Sequence, residues 1–307
     1  MPNIQENIPL KPLTTFEIGG MAQFYVEVQD EEQLKDALDW AHREDVPVFI
    51  LAGGSNVLVD DEGFDGLVIH IKMQNHSFDG PILTAEAGCP LLDLIEAGSK
   101  HILGGWEKLA GIPGSLGGAV RGNAGAFGTE IQDVIENVDV LHRHTFEKRT
   151  LTNAECMFAY RSSYFKKNPE WIILAARIRL IEKDQKEIIS AIAETIHQRE
   201  LRHLQNVRAA GSYFMNPVSP ESVIKQFEIE KNTSAREGRV PAGWLIEKVG
   251  MKGERVGGAI ASQQHPNYLV NESGNATTKD VTTLSARIKT AVHTQFGVML
   301  EEEVTLV

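Results

Sequence analysis

Long apolar runs, clustered cysteines and basic stretches are all missing from this chain of 307 residues, and each absence removes a class of protein. No apolar run approaches the roughly 20 residues that span a bilayer, so no membrane helix is expected. There are two cysteines, Cys89 and Cys156, far apart and outside any zinc or redox spacing, and both are expected as buried structural thiols. A net charge of −12, with no Lys/Arg run or basic face, argues against nucleic acid or an anionic membrane surface as partner. The N-terminus, Met1-Pro-Asn-Ile-Gln-Glu6, is polar and acidic, unlike a secretory signal, so a cytoplasmic location is the expectation. The ten histidines are scattered without ligand spacing, and no metal is expected. Neither G-x-x-x-x-G-K-[ST] nor a G-x-G-x-x-G between strand and helix occurs, which argues against P-loop and standard Rossmann nucleotide sites. With 42% hydrophobic and 23% charged residues, the chain reads as an ordinary globular protein with room for two or three domains.

Glycine, by contrast, is concentrated. Nine of the 27 glycines fall between Gly104 and Gly128, at spacings of three in Gly111, Gly114, Gly117 and again in Gly122, Gly125, Gly128. Glycine weakens helices and strands, so a dense run needs a reason, and the usual one is bare backbone approaching a ligand. Consecutive N–H groups in such loops make concavities for anions, phosphates above all. A flexible linker would be polar throughout. Here Ile112, Pro113, Leu116, Val120 and Phe127 are interleaved, so the loop is expected to be packed and rigid. A second loop, Ala52-Gly-Gly-Ser-Asn56, follows the apolar run 46–51, a candidate buried strand. Alone it could be a plain turn; two such loops together favour a phosphate-bearing ligand.

Around these loops the pattern is α/β. Asp30 and Gln33 predict a capped helix to about Glu44 with Leu34, Ala37, Leu38 and Ala41 on one face. Strands are expected at 46–51, 67–71, 138–142 and 171–180, and a helix from Pro90 carrying Leu91, Leu94 and Ile95. A long amphipathic helix over 185–204, with Ile188, Ile192 and Ile196, has the look of a joint between domains. Beyond it, residues 278–296 predict a helix burying Val281, Leu284, Ile288 and Val292 and ending at Gly297. Residues 300–307 predict a closing strand, with Val304 and Leu306 on the core side and Glu301 and Glu303 on the polar face.

Read in order, the motifs resemble one family over nearly the whole chain. They are Thr15-Phe-Glu-Ile-Gly-Gly20, Gly53-Gly-Ser-Asn56, Gly111-Ile-Pro-Gly-Ser-Leu-Gly-Gly118, Asn123-Ala-Gly-Ala-Phe-Gly128 and Tyr160-Arg-Ser-Ser163. Gly211-Ser-Tyr-Phe214, Ala242-Gly-Trp-Leu-Ile-Glu247, Gly257-Gly258 and Glu303-Val304 continue the series. The pattern is similar to the UDP-N-acetylenolpyruvoylglucosamine reductases, in the shorter variant that lacks an extra substrate-covering loop. That resemblance implies an α/β (α+β) fold. A two-part FAD-binding module of the vanillyl-alcohol-oxidase/PCMH type, at 1–74 and 75–200, would be followed by an α+β UDP-sugar domain at 201–307. It implies non-covalent FAD, NADPH as hydride donor and a monomer acting on UDP-N-acetylglucosamine enolpyruvate in peptidoglycan precursor synthesis.

The resemblance also assigns residues. Gly53, Gly54, Ser55 and Asn56, with Gly111, Ile112, Pro113, Gly114, Ser115 and Gly118, would hold the FAD pyrophosphate, and Asn123, Ala124 and Gly125 would pass beside the flavin. Hydride would reach the vinyl carbon from N5 of the reduced flavin. Negative charge then develops beside the substrate carboxylate and needs a cation, a role matched by Arg161. Ser212 matches the proton donor and Glu303 the carboxylate that orients groups around the enolate-like intermediate. Arg202, Asn216 and His265 lie where the family places groups near the diphosphate or sugar. Departures occur at Ala52, Phe127, Arg202-His-Leu204 and Met215, none of them in the catalytic trio. Two other readings stand beside this one: an FAD oxidase of the same fold acting on a hydroxyl or sugar substrate, and a catalytically silent nucleotide-sugar-binding homologue.

Overall fold

The computed structural model describes residues 2–201 and 207–307 and divides into two compact units. The first comprises Met1–Ile8, Ala22–Gly54 and Phe64–Leu201; the second comprises Pro9–Met21, Ser55–Gly63 and Arg202–Val307. Both units are therefore discontinuous in sequence.

In the first unit a four-stranded sheet has the order Gln5–Pro9, Met21–Val28, Phe64–Ile71, Val48–Leu51, with the last three parallel to one another. Parallel strands need a crossover, here the helix Glu31–Arg43. Asp30 caps it by accepting from the Gln33 amide at 2.8 Å, and Leu34, Ala37, Leu38 and Ala41 are buried as the periodicity predicts. A second, antiparallel sheet has five strands in the order Lys148–Thr152, Ile135–His142, Trp171–Arg179, Ile82–Glu86, His76–Asp79. Leu91–Lys100 and Gln185–Leu201 are the longer helices here, and the expected 202–204 extension of the latter lies outside the described residues.

The glycine-rich run departs from the expected loop by containing a two-turn helix, Leu116–Gly122. Its reason is local. Ser115 caps the start, Asn123 ends it in the left-handed conformation at φ 44°, and a Cβ on Gly117 would fall 2.8 Å from Ala87 Cβ. Glycine at 117 lets this helix lie directly on the backbone after the strand Ile82–Glu86.

The second unit has a three-stranded antiparallel sheet, Arg255–Val256, Ala259–Ala261, Leu269–Asn271, and the helices Glu221–Lys231, Ala242–Lys248 and Thr278–Phe296. Its core joins Phe16 and Ile18 from near the N-terminus to Tyr213, Phe214, Trp244, Leu284, Ile288 and Val304. Thr277 and Asp280 form a capping box for the long helix, which ends at Gly297 and buries Val281, Leu284, Ile288 and Val292 as expected. The closing strand is shorter than predicted: Thr305–Leu306 pairs in parallel with Val57–Leu58, preceded by a bridge between Phe214 and Glu302. Val304 is buried, but Leu306 is 54% exposed, against expectation, because a two-stranded pair gives that side chain no second layer.

Both cysteines are buried and reduced, and burial pushes their thiols up to about 11 for Cys89 and about 12 for Cys156. No described helix is long and apolar enough to cross a membrane.

Candidate functional site

In the first unit the two glycine loops meet backbone to backbone. A Cβ on Gly53 would fall 2.6 Å from Gly114 Cα and 2.9 Å from the Ser115 amide nitrogen. Gly54, Gly111 and Gly114 all have positive φ, at 63°, 79° and 115°. No side chain fits this contact, so glycine at 53 and 114 is a steric requirement. Three further amides of the run are consumed internally: Ile112 donates to Leu109, Leu116 to Cys89 and Gly117 to Ala87. The Ser115 hydroxyl accepts from the Gly118 amide at 3.5 Å. The first turn of the short helix is thus closed by the protein. The backbone that meets the Gly53 turn is that of Gly114 and Ser115.

The loop after the helix turns on Asn123, which is fully buried. Its Nδ2 donates to Glu130 Oε2 at 2.9 Å and to the Ala159 carbonyl at 3.0 Å, and its Oδ1 accepts from the Gln132 amide at 3.3 Å. All its side-chain polar atoms are spent on holding the corner. Arg161 then reaches back to this corner, donating from Nη2 to the Gly125 carbonyl at 2.7 Å and from Nη1 to the Asn123 carbonyl at 3.4 Å. Arg161, Asn123 and Phe127 are non-glycine residues at positive φ, 52°, 44° and 49°. Such backbone strain concentrates where a structure holds groups in place for chemistry. Arg161 and the Asn123–Gly125 backbone are therefore tied together, which joins a residue expected in catalysis to a segment expected beside the flavin.

In the second unit the segments 213–215 and 301–303 are joined as an antiparallel bridge. The Glu303 amide donates to Tyr213 at 2.8 Å and the Met215 amide to Glu301 at 2.9 Å. This pairing sets Tyr213, the neighbour of Ser212, against Glu303, 90 positions further along the chain. Of the three consecutive acids, Glu301 is exposed and Glu302 is tied to the long helix. Lys289 Nζ meets both Glu302 oxygens at 3.0 Å, and the Ser285 hydroxyl donates to Oε1 at 3.1 Å. Those bonds hold the Glu302 carboxyl below its usual range against the opposing effect of burial.

Asn56 belongs to this unit too: its Nδ2 donates to the Glu303 carbonyl at 3.1 Å. Asn216 is placed at the start of the helix Ala242–Lys248, where its Oδ1 accepts from the Ala242 amide at 3.0 Å. The His265 ring packs edge-on against Tyr268 at 4.9 Å, and its Cε1 would lie 3.9 Å from a Cβ on Gly243. Asn216 and His265 thus flank the same helix start. Arg202 lies outside the described residues.

Sequence reasoning missed Asn267. This buried residue accepts from the Phe214 amide at 3.0 Å, donates to the Phe214 carbonyl at 2.8 Å, and takes the Tyr213 amide on its own carbonyl at 2.7 Å. It clamps the segment next to Ser212, and nothing in His265-Pro-Asn267 announces it. Glu130, the buttress of Asn123, was equally silent.

Comparison with known proteins settles the family. Residues 202–307 match the family model for UDP-N-acetylenolpyruvoylglucosamine reductase, C-terminal domain, and residues 22–144 match the FAD binding domain model. The reductase of Carboxydothermus hydrogenoformans is 37% identical over 98% of this chain and 93% of its own length. That of Solibacter usitatus is 35% identical over 100% of this chain and 98% of its own. The crystal structure of the UDP-N-acetylenolpyruvylglucosamine reductase from Thermus caldophilus superposes with a TM-score of 0.78 at 31% identity, covering 100% of this chain and 99% of that one. The chain belongs to the UDP-N-acetylenolpyruvoylglucosamine reductase family. It is an FAD-dependent oxidoreductase with the fold class the sequence implied, an FAD-binding module followed by an α+β domain. The FAD binding domain match spans both glycine loops, and their side-chain-free contact suits the close approach of a dinucleotide cofactor.

Proposed function

We propose that this chain reduces the enolpyruvyl ether of UDP-N-acetylglucosamine enolpyruvate with NADPH, giving UDP-N-acetylmuramate for peptidoglycan synthesis. The observation that carries the reading is the backbone pairing of Tyr213 with Glu303, which joins the Gly211-Ser-Tyr-Phe214 and Glu303-Val304 motifs in a chain matched to the family end to end. FAD, when bound, supplies the hydride for the vinyl carbon, having taken it from NADPH.

The chain's own residues then divide the remaining work. The Asn123 and Gly125 carbonyls hold the Arg161 guanidinium in one orientation. It stabilises the negative charge that develops beside the substrate carboxylate. Ser212 gives its hydroxyl proton to the adjacent carbon, a transfer that a strongly basic enolate can drive. Glu303 orients the groups around that intermediate and assists the proton transfer. Gly53, Gly54, Ser55, Asn56 and the Gly111–Gly118 run carry the FAD pyrophosphate; Asn123, Ala124 and Gly125 lie beside the ring. Arg202, Asn216 and His265 serve the nucleotide sugar. Residues 1–74 and 75–200 act as the two parts of the FAD module and 201–307 as the substrate domain, in a cytoplasmic monomer.

The test is direct. Purified protein mixed with NADPH and UDP-N-acetylglucosamine enolpyruvate should consume NADPH in step with the formation of UDP-N-acetylmuramate. FAD-loaded protein that ignores this substrate, yet passes electrons from a hydroxyl compound to oxygen, would replace this reading with that of an oxidase.

A further inference from the structure

Gly125–Ala126 pairs antiparallel with Thr129–Glu130, with Thr129 opposite Ala126 and Glu130 opposite Gly125. The two residues at the tip, Phe127 and Gly128, have φ of 49° and 83°, the positive pair that a two-residue hairpin favours. Such a turn fixes the register, and here it sets Glu130 across from a residue without a side chain. A Cβ on Gly125 would fall 2.8 Å from Glu130 Cγ and 3.2 Å from Arg161 Nη1. Glu130 and Arg161 therefore share the space that a side chain at 125 would fill, within about 6 Å of each other.

The Glu130 carboxylate is held by three donors. Its Oε2 accepts from Asn123 Nδ2 at 2.9 Å and from Gln132 Nε2 at 2.6 Å, and the carboxylate caps the turn Ile131–Asp133 by accepting from the Asp133 amide. Asp133 returns the bond, accepting from the Glu130 amide at 2.8 Å. Asn123 carries the connection onward. Its second N–H goes to the carbonyl of Ala159, and Ala159 and Ser162 exchange both backbone bonds at 3.0 Å to close the turn in which Arg161 sits.

We propose that Glu130 is a positioning residue for Arg161, acting through Asn123 on both the turn that carries the arginine and the carbonyls that aim its guanidinium. The inference rests on the reading of Arg161 as the group that stabilises the developing negative charge.

The chemistry of the donor set supports it. An asparagine amide can face either way, with nitrogen and oxygen exchanged. A carboxylate only accepts, so Glu130 draws the Asn123 nitrogen to itself. That choice turns the second N–H to Ala159 and leaves Oδ1 for the Gln132 amide. A hydrogen bond to a carboxylate is also stronger than one between neutral groups. It opposes the strain of Asn123, a non-glycine residue at φ 44°. The Asn123 and Gly125 carbonyls accept from Arg161 on this same corner, so the guanidinium is fixed only as firmly as the corner is. A charge aimed beforehand needs no rearrangement when the reaction reaches it, which is where its effect is largest. Glycine at 125 is thereby explained by Arg161 and Glu130 themselves.

The test follows reoxidation of the reduced, FAD-loaded, full-length protein by saturating UDP-N-acetylglucosamine enolpyruvate in stopped flow. Glu130→Ala should slow this step roughly 10- to 100-fold, the scale of a small misplacement of a reacting group. Glu130→Asp keeps the carboxylate but is one methylene too short for Asn123, so it should lose a similar amount. Glu130→Gln keeps an acceptor oxygen at the same reach and should recover most of the loss. In an Arg161→Ala background, Glu130→Ala or Glu130→Asp should add little, because residues that act as a unit are not additive. A merely structural residue would add its full loss in either background, and that result overturns the proposal. Wild-type reoxidation in Glu130→Ala and Glu130→Asp, with Arg161→Ala slow, overturns the role of Glu130 alone. Equal losses in Glu130→Gln and Glu130→Ala also overturn it, since charge and not the bond to Asn123 would then explain the residue. If Glu130→Ala fails to fold, Glu130→Asp and Glu130→Gln decide the same question. Wild-type reoxidation in Arg161→Ala removes the reading of Arg161, and this inference with it.

Discussion

Asn56 and Glu303, 247 residues apart, are tied to each other: Asn56 Nδ2 donates to the Glu303 carbonyl at 3.1 Å, and the Thr305 amide returns a bond to the Asn56 carbonyl at 3.0 Å. A residue assigned to the cofactor loop thus holds the backbone of the residue assigned as the orienting carboxylate. Asn56→Ala should cost about 1 kcal/mol of stability, the usual worth of such a bond. With FAD in excess, it should slow reoxidation of the reduced flavin by enolpyruvyl substrate while leaving reduction by NADPH intact. Stopped-flow traces that are wild-type in both phases would disconnect the tie from function.

Ser212→Ala should separate the two half-reactions. Reduction by NADPH, in which the proposed mechanism gives the serine no part, should proceed normally. Reoxidation by the enolpyruvyl substrate should slow by the ~10²–10⁴-fold typical of a lost general acid. Reoxidation at the wild-type rate would show that another group gives the proton.

The three consecutive acids should behave differently. Glu303→Gln is expected to cripple enolpyruvyl reduction with FAD still bound. Glu301→Gln, at an exposed position, should be mild. Glu302→Gln weakens the bonds to Lys289 and Ser285, a part-exposed pair worth about 1 kcal/mol or less, so it should lower the unfolding midpoint slightly and keep turnover. Steady-state rates and melting curves measured side by side decide the matter; a turnover loss confined to Glu301 or Glu302 would reassign the acid.

Asn267→Leu should be among the most damaging substitutions outside the residues assigned to the site. It strips partners from both the Phe214 amide and the Phe214 carbonyl inside the core. Two unsatisfied buried groups cost about 2 kcal/mol or more together. Chemical denaturation should show a clear drop in midpoint, and an unchanged midpoint would mean that this clamp is redundant.

His70 makes stability pH-dependent with a definite sign. Its folded value, about 4, lies below the ordinary 6.5 of the unfolded chain. Between those values the unfolded state binds a proton that the folded state does not, so this contribution is full above about 6.5 and is lost as pH falls toward 4. The slope is at most about 1.4 kcal/mol per pH unit from this one group. Urea midpoints compared at pH 7 and pH 5 should fall more for the wild type than for His70→Gln. Equal falls would place the acid sensitivity elsewhere.

Much of the local structure was legible because it depends on near neighbours. Leu34, Ala37, Leu38 and Ala41 mark one helix face, and Val281, Leu284, Ile288 and Val292 mark another, through spacing alone. The glycine loops were visible because glycine is costly where it is not required. The short helix inside the second loop was not visible. It forms because Gly117 can lie against Ala87, a contact that exists only once the sheet is built. The exposed Leu306 misled the strand reading for the same reason: alternation fixes which side chains share a face, and only the neighbouring layers decide which face is covered.

By itself the sequence determined the family and the cofactor class, since these rest on glycine placement and on ordered motifs strung along the chain. Tertiary structure alone decided that Pro9–Met21 and Ser55–Gly63 fold with the C-terminal part. It also decided that Asn56 grips Glu303, that Asn267 clamps Phe214, and that His70 meets the Tyr25 hydroxyl. The physical reason is the same in each case. Asparagine and histidine are common polar residues with no periodic signature, and their hydrogen bonds acquire worth only when folding removes water and brings a distant backbone group within 3 Å or so.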